Sequence, residues 1–402
     1  MNVLANNVVY PVTDMFYKTN GQLFPIAHKF IVKDDGMEPF EWIARKDATK
    51  GDWSWFGSIT YGNSLFVATI ARANNDEDRL HMIWTSPNGI EWDIQSTPTA
   101  VPPSGPWGHT QTWRQVIYGN GMFVAIGDTS MNLYTDDQSM IMTSTDGISW
   151  TLRDMPFIMR PTDSRPMRPR PVKIVYGNGI FLIITLDNAT IVSNDGINWV
   201  QADNRYYGQW SALCYGNGLF VAATMPYSEY YESSLLTSTN GVDWTEQNVP
   251  APPTANSGWR SYGFDNIIYG NGLFVAVSRW SPVNAAKTPQ YAVVTSSDGI
   301  NWTVQETPQS GNDWDPIKWV AAACADGLFV ALSNNEMPPQ QCMISYDGIN
   351  WELKTTVYSD RPSWGHDWHS WADIAYGDDK FVAVGAYGMN PYDIGLMTLA
   401  WK

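Results

Sequence analysis

The chain repeats one two-part signature, and this repetition restricts the possible fold more than any other feature. The first part is Tyr-Gly-Asn-Gly followed by an apolar run, and it starts at Tyr61, Tyr118, Tyr176, Tyr215 and Tyr269, with altered copies at Cys324 and Tyr376. The second part is Ser-x-Asp/Asn-Gly-x-x-Trp, and it ends at Trp92, Trp150, Trp199, Trp244, Trp302 and Trp351. Successive first parts are 57, 58, 39, 54, 55 and 52 residues apart. A period near 50 residues with about four strands per unit is typical of a β-propeller blade.

The turn residues within each repeat favour strands over helices. Asn-Gly or Asp-Gly between two apolar runs supplies two adjacent residues that tolerate a positive φ, which a type I′ hairpin requires. The runs on either side of Asn271 and Gly272 are rich in Val, Ile, Phe and Tyr and are only about five residues long. Since no long stretch has helical periodicity, we predict an all-β chain.

The two ends of the chain complement each other. No Asp-Gly-x-x-Trp follows Tyr376, whereas residues 40–47 (Phe-Glu-Trp-Ile-Ala-Arg-Lys-Asp) match residues 149–154 (Ser-Trp-Thr-Leu-Arg-Asp). An N-terminal strand that completes the C-terminal blade pairs two edges that would otherwise stay open. We therefore predict a seven-bladed β-propeller of four-stranded blades, closed by this strand. It forms a single domain over residues 1–402, with an N-terminal segment at 1–52 and the blades at 53–402.

Composition narrows the range of partners and locations. A net charge of −16 and a pI near 4.6 argue against a general nucleic-acid binder, which needs a basic face. Three scattered cysteines are too few for a disulfide framework or a metal site, and we expect no cofactor. The first ten residues lack the basic and apolar regions of a signal peptide, and no stretch approaches the roughly 20 apolar residues of a membrane span. We therefore expect synthesis in the cytoplasm without membrane insertion.

The second part of the repeat resembles the Asp-box (BNR) repeats of sialidase-type and other β-propellers. Six copies cover most of the chain, although each is one residue shorter between Asp and Gly than the usual box. The pairing of Tyr-Gly-Asn-Gly-x-Phe-Val-Ala with this box is most similar to repeats in phage tail-associated and other virion proteins. This resemblance implies a propeller fold and a location in a virion.

The repeated residues are expected to serve the ring. We predict that the box carboxylates accept backbone N–H groups within their own turns, and that the box tryptophans pack between blades. These carboxylates are Asp146, Asp195, Asp298 and Asp347. A motif that repeats around a ring serves the ring, so we expect function where the repeats differ.

The repeats differ in the connections on one face. If the strands of a blade are lettered A to D from the centre outwards, the A–B and C–D turns are nearly invariant, whereas the D–A and B–C connections vary from a few to about twenty residues. These connections are rich in aromatic residues. A regular set keeps an offset of five from the repeat tyrosine and is assigned to the scaffold: Phe56, Trp113, Trp210, Phe264, Trp319 and Trp371. The irregular set suits a ligand cleft, the alternative being that it fills gaps between loops.

The predicted recognition surface draws on this irregular set. At its centre lie Trp107, His109, Trp364, His366 and Trp368, and at its margin Trp259, Trp314, Arg165, Arg168 and Arg170. Sugars stack their C–H faces on aromatic rings while their hydroxyls bond to nearby polar groups. The histidines lack Cys partners or a His-x-His spacing, which favours hydrogen bonding over metal binding. The basic connection at 153–173 suits a carboxylate, a phosphate or an acidic partner surface, the alternative being a solvated, proline-stiffened loop.

The sialidase resemblance does not extend to catalysis. The Arg-Ile-Pro motif of that family is absent, and four arginines lie in one loop instead of on separate blades. Carboxylates such as Asp313, Asp315, Asp367 and Glu232 are available for a glycosidase, but sequence does not give their separation. We therefore expect a non-catalytic module that recognises a surface glycan or receptor as a phage virion or tail-associated protein. The alternatives are a structural virion or assembly protein that docks another subunit, and a glycosidase of sialidase-like architecture.

Overall fold

The computed structural model describes residues 2–5, 8–11, 16–19, 22–25, 41–44, 54–73, 82–98, 111–129, 139–159, 166–202, 209–225, 234–250, 263–278, 290–308, 318–334, 341–355, 369–387 and 395–400. These residues form an all-β propeller of four-stranded antiparallel blades, which confirms the predicted fold class. Seven four-stranded sheets are present, one for each repeat, and in every sheet the strands pair in the order A, B, C and D.

The strand bounds follow the repeats closely. In the order A to D, blade 1 consists of Ser54–Gly62, Leu65–Ala73, Met82–Ser86 and Asp93–Ser96, and blade 2 of Gln111–Gly119, Met122–Thr129, Ser139–Ser144 and Thr151–Arg153. Blade 3 consists of Pro171–Gly177, Ile180–Thr185, Thr190–Ser193 and Val200–Ala202, and blade 4 of Gln209–Gly216, Leu219–Met225, Leu235–Ser238 and Thr245–Gln247. Blade 5 consists of Phe264–Gly270, Leu273–Ser278, Gln290–Ser296 and Thr303–Thr307, and blade 6 of Trp319–Ala325, Leu328–Ser333, Gln341–Ser345 and Glu352–Thr355. Blade 7 consists of His369–Gly377, Lys380–Tyr387, Gly395–Ala400 and Glu41–Ala44.

The N-terminal closing strand is confirmed. Glu41–Ala44 is strand D of blade 7, and it pairs antiparallel with strand C so that Trp42 lies opposite Leu399 and Ala44 opposite Met397. Strand A of each blade packs against strand A of the next, and that of blade 7 packs against that of blade 1. The two ends of the chain therefore meet within one sheet.

The core is divided among the joints between blades. Seven clusters of buried apolar residues occur in the described part of the chain, and each joins two neighbouring blades. The regular aromatic set lies in six of them and is buried throughout, which confirms its assignment to the scaffold. The box tryptophans also occupy these clusters; Trp150 packs with Val67 and Ile83 of the preceding blade and donates its indole N–H to Gly147 O at 3.0 Å.

The two turn types differ in their backbone conformation. In the A–B turn both central residues have positive φ, as at Asn120 (50°) and Gly121 (75°), which confirms the predicted hairpin. The same prediction is wrong for the Asp-box, where Gly147 has φ 75° but Asp146 is not in the positive region. The reason is that the carboxylate itself organises this turn: Asp146 Oδ1 accepts the backbone N–H groups of Ile148 and Ser149 at 2.8 and 2.7 Å, which confirms the predicted role of the box carboxylates.

The first glycine of Gly-Asn-Gly has a separate role that the sequence analysis missed. A Cβ atom at Gly62 would lie 2.0 Å from Cγ of Tyr118 in the next blade, and one at Gly216 would lie 2.1 Å from Cγ of Tyr269. In five of the seven blades strand A therefore packs its backbone directly against the tyrosine ring of the following blade, whereas Gly270 of blade 5 meets Cys324 instead. Blade 6 departs from this pattern, with Ala325 in place of the glycine.

Side chains on the inner strands also join blades by hydrogen bonds. Strand A is the inner edge of its sheet, so alternate N–H groups have no strand partner. The N–H of Ile59 donates to Asp373 Oδ2 at 3.1 Å, across the joint between blades 7 and 1. In the same way the N–H of Ile174 donates to Gln115 Oε1 at 2.7 Å, across the joint between blades 2 and 3. Polar side chains on strand A therefore form hydrogen bonds across two joints, between blades 7 and 1 and between blades 2 and 3.

Three two-stranded hairpins accompany the blades. They pair Asn2–Ala5 with Val8–Pro11, Phe16–Thr19 with Gln22–Pro25, and Ile158–Met159 with Pro166–Met167. The sequence analysis predicted none of them, although Asn20 and Gly21 are a hairpin signal between two short apolar runs. No helix in the described part of the chain is long and apolar enough to cross a membrane.

Replacing Asp146, Asp195 and Asp298 together by Asn is expected to reduce the loss of stability between pH 4 and pH 2. Hydrogen bonds from the backbone N–H groups of Ser149 and Ile148 lower the pKa of Asp146 from 3.8 to about 2. Backbone hydrogen bonds from Asn198 and Asn301 likewise lower the pKa of Asp195 and of Asp298, respectively. Because the folded-state pKa lies below the unfolded value, this stability is present above about pH 4 and is lost as the pH falls through the folded pKa.

The chain itself provides evidence that the neutral amide maintains the turn. Asn88 Oδ1 accepts the N–H groups of Ile90 and Glu91 at 2.9 and 3.0 Å, as the carboxylate does elsewhere. We therefore expect the triple variant to fold at pH 7. The measurement is the melting temperature of both proteins from pH 7 to pH 2, and an equal fall for both between pH 4 and pH 2 would contradict the expectation.

Candidate recognition surface

The propeller has two faces of different construction. One end of the sheets carries the A–B and C–D turns and is called the turn face here. The other end is called the loop face. Because consecutive strands are antiparallel, the ends of the strands on this face flank every B–C and D–A connection. The turn face repeats two compact motifs, whereas the lengths of the connections differ from blade to blade. Sequence variation is thus concentrated on one face of a rigid scaffold.

Most of the predicted site lies outside the described residues. This applies to Trp107, His109, Arg165, Trp259, Trp314, Trp364, His366 and Trp368. Two of them are close in sequence to described strands on the loop face: His109 is two residues before Gln111, and Trp368 directly precedes His369. Those strands begin blades 2 and 7, which both adjoin blade 1.

Arg170 forms an ion pair within blade 3. Its Nη2 lies 2.9 Å from Asp187 Oδ1, and its backbone N–H donates to Asp187 Oδ2 at 2.8 Å. The Asp187 side chain is fully buried, so the guanidinium compensates a charge that would otherwise be costly. The pair fixes the connection before strand A to the turn between strands B and C. This arrangement gives Arg170 a structural role on the loop face.

A second ion pair of the same kind occurs in blade 2. Arg114 Nη2 lies 2.8 Å from Asp128 Oδ2, and Thr112 Oγ1 donates to Asp128 Oδ1 at 3.1 Å. Asp128 is buried near the end of strand B, while the arginine is half-exposed. The sequence analysis missed both pairs, since each joins residues 14 or 17 positions apart with no motif between them.

Arg168 lies at the outer rim of the ring. Its guanidinium carbon is 4.6 Å from the centroid of the Phe157 ring, within range of a cation–π interaction. Phe157 precedes the small hairpin of residues 158–167, which belongs to the connection between blades 2 and 3. The basic connection is therefore partly folded onto the rim, with Ile158 and Met155 buried in the joint between these blades.

The centre of the ring contains a cavity of about 490 Å³ lined by strand A of every blade. Lys173, which the sequence analysis counted with the basic connection, lies on strand A of blade 3 and lines this cavity. Asp373 also lines it, but its carboxylate is engaged by Ser58 Oγ at 2.6 Å and by the backbone of blade 1. The polar groups of the cavity thus include residues that hold the blades together.

The three cysteines are free and lie within the blades. Burial raises the pKa of the Cys214 thiol, and burial together with the nearby Asp326 raises that of Cys324 to about 12. Both thiols therefore stay protonated at neutral pH, which makes them poor nucleophiles. Among the described residues no group of three or more His, Cys, Asp or Glu side chains is placed to hold a metal ion.

Comparison with known proteins supports the fold but not a family. No protein-family model matches the chain, and no curated protein sequence is similar to it. A solved structure of YCF48 bound to D1 peptide is 13% identical, with coverage of 91% of this chain and 96% of that one and a TM-score of 0.56. Phage phi92 endosialidase is 10% identical, with coverage of 97% and 72% and a TM-score of 0.50. A Trypanosoma rangeli sialidase is 12% identical, with coverage of 88% and 58% and a TM-score of 0.48.

At these identities the similarities show the shared fold alone. The chain belongs to the class of β-propellers with four-stranded blades, a fold that is also shown by its similarity to the structures of YCF48 and phage phi92 endosialidase. This is consistent with the Asp-box resemblance seen in the sequence, although no sequence family supports it.

Proposed function

We propose that this chain is a non-catalytic recognition module that binds a surface glycan or receptor through the loop face, as a phage virion or tail-associated protein. The observation that carries the proposal is the difference between the two faces. On the turn face the box residues are engaged in their own turns, blade after blade, as the Asp146 and Asp195 carboxylates illustrate. On the loop face the scaffold offers strand ends with connections of different length. Variable connections on a rigid frame are the usual place for recognition.

The chemistry of the connections favours a glycan over a charged polymer. They contain many Trp and Tyr residues, together with the histidines at 109, 366 and 369. Flat aromatic rings and hydrogen-bonding groups are what a sugar needs, whereas the net charge of −16 opposes nucleic acid. Phage phi92 endosialidase is a phage protein with a similar fold, which is compatible with a virion role for this chain.

We also propose that the seven sheets form one closed seven-bladed domain over residues 1–402. The support is that the buried clusters join every pair of neighbouring blades, including blades 7 and 1 through Val382, Val384 and Phe56. A single rigid ring would hold all seven sets of connections in fixed relative positions, which reduces the entropic cost of binding a ligand that spans several blades.

Trp364→Ala and Trp107→Ala are each expected to weaken ligand binding by about 30-fold, because truncation of an aromatic anchor often costs about 2 kcal/mol. The measurement starts with a glycan array, followed by surface plasmon resonance with the sugars that bind. The melting temperature should stay nearly unchanged in both variants. Ile300→Ser on the turn face is the matched control and should bind like the wild type.

Several results would contradict the proposal. Binding that survives both tryptophan changes and is lost on altering Asn120 and Gly121 would place the site on the turn face. An array without any binding sugar would favour the alternative of a structural virion protein that docks another subunit. Release of reducing sugar from a bound glycan would favour a glycosidase.

A further inference from the structure

We propose that the outer rim between blades 2 and 3 is a docking groove for an extended, acidic and apolar polypeptide segment of a partner protein. The groove lies at the outer strands of blades 2 and 3, and Arg168 beside it is the one residue that it shares with the predicted recognition surface. It has a volume of about 470 Å³ and runs between strand D of blade 2 and the Asp-box and strand D of blade 3. Its lining includes Leu152, Arg153, Pro156, Ile197 and Val200.

Exposed apolar side chains are concentrated at this groove. Four of the ten large hydrophobic residues that are exposed in the described part of the chain lie at the groove or on the connection next to it: Ile197 and Val200 line it, and Phe157 and Met159 follow Pro156 of its lining. Val200 and Phe157 are the most exposed of all, at 59% and 56%, and Ile197 and Met159 are also exposed. A concentration of exposed apolar groups beside a groove is typical of an interaction site.

The apolar rim is held in place by hydrogen bonds. Gln201 accepts the backbone N–H of Met159 at 2.8 Å and donates its amide to Met159 O at 3.1 Å. Ile158, which lies between Phe157 and Met159 in the chain, is fully buried, so the hairpin is also anchored by its apolar side. Phe157 is covered on one side by Arg168. A surface that is ordered before binding loses less entropy when a partner docks.

The positive charge at the groove favours an acidic partner. Two arginines, Arg153 and Arg168, lie at the groove or beside it, against one carboxylate, Asp154, in its lining. Arg153 Nε donates to Thr143 Oγ1 at 2.9 Å, which holds its guanidinium at the surface. On a chain with a net charge of −16, this local excess of positive charge complements a segment that bears carboxylates.

The backbone at the groove favours an extended occupant. Val200–Ala202 is strand D of blade 3 and forms the outer edge of its sheet, so alternate N–H and C=O groups point away from the blade. Extended segments commonly add to such edges, with pockets for alternate side chains. The geometry therefore fits a segment whose acidic side chains meet the arginines while its apolar side chains enter the groove.

The test is binding of a fluorescein-labelled peptide in which Asp alternates with Val, measured by fluorescence anisotropy with the full-length protein. Phe157→Ser and Val200→Ser are each expected to weaken binding at least about tenfold, and Arg168→Gln to reduce its dependence on salt. Ile300→Ser removes an equally accessible hydrophobic group from blade 5, at 50% exposure, and should have no effect. Melting temperatures of all variants should stay near the wild-type value, since the changed side chains are exposed.

Four outcomes would overturn the proposal. One is equal binding of a peptide with Lys in place of Asp, and another is absence of binding by the acidic peptide. A third is binding that Phe157→Ser and Val200→Ser leave unchanged. The last is a dimer in analytical ultracentrifugation that Phe157→Ser dissociates, which would identify a second copy of this chain as the occupant. None of these results bears on glycan binding through the loop face, which the Trp364→Ala variant reports separately.

Discussion

Removal of residues 1–47 is expected to abolish cooperative folding. These residues include Glu41–Ala44, the strand that completes blade 7. Without it, strand C of that blade, Gly395–Ala400, becomes an unpaired edge and the blade keeps three strands. Blade 7 also supplies Val382 and Val384 to the apolar cluster that it shares with blade 1, so its loosening exposes the joint that closes the ring. The measurement is circular dichroism during heating, together with size-exclusion chromatography.

Two further proteins separate ring closure from other roles of the N-terminal segment. Deletion of residues 1–25 removes both N-terminal hairpins, each of which forms a separate two-stranded sheet, and should leave cooperative melting intact. Attachment of a copy of residues 40–47 after Lys402, through a Gly-Ser linker, should restore folding to the shortened chain. A protein lacking residues 1–47 that melts like the full-length one would show that closure by this strand is not needed.

Trp302→Ala is expected to lower the free energy of unfolding by about 3–5 kcal/mol, as large aromatic truncations in protein cores do. Trp302 is only 5% exposed and packs in the cluster between blades 4 and 5, where its ring centroid lies 6.4 Å from that of Phe274. Its indole N–H donates to Gly299 O at 2.9 Å, which ties the side chain to its own turn. The truncation therefore leaves a void between two blades and removes the hydrogen bond between the indole and Gly299 of the turn. Urea unfolding at equilibrium gives the change directly.

The matched control for this prediction is Trp302→Phe. It retains most of the apolar surface and loses the hydrogen bond to Gly299, so the expected cost is nearer 1 kcal/mol. Neither variant should change ligand preference, because the residue belongs to a joint and not to the loop face. Full stability of the alanine variant would show that the division between scaffold and recognition surface is wrong.

The local and periodic features of this protein could be predicted from its sequence. The spacing of the repeat tyrosines predicts the blades, and Asn-Gly pairs such as Asn120 and Gly121 predict the A–B hairpins, because positive φ at two adjacent positions is a local backbone requirement. The match of residues 40–47 to a box strand predicts the closing pair, since each sheet needs its fourth strand. The fixed offset of the regular aromatics identifies the scaffold, because equivalent positions in a ring meet equivalent neighbours.

Features that depend on contacts between distant residues could not be predicted in this way. Nothing in the sequence marks Asp187 as the partner of Arg170, since an ion pair needs only two side chains to meet in space. The role of Gly62 is likewise decided by the tyrosine that the next blade places against it.

The sequence by itself determined that this protein is a ring of similar sheets and that an N-terminal strand completes the last sheet. Both features are local, because each repeat and each turn consists of consecutive residues. Only the tertiary structure decided which positive charges remain for a partner. Arg170 is neutralised by a buried carboxylate, whereas Arg168 lies over the exposed ring of Phe157. The physical reason is that the charge and exposure of a side chain depend on what the fold packs around it, and for these arginines those neighbours come from other strands and turns.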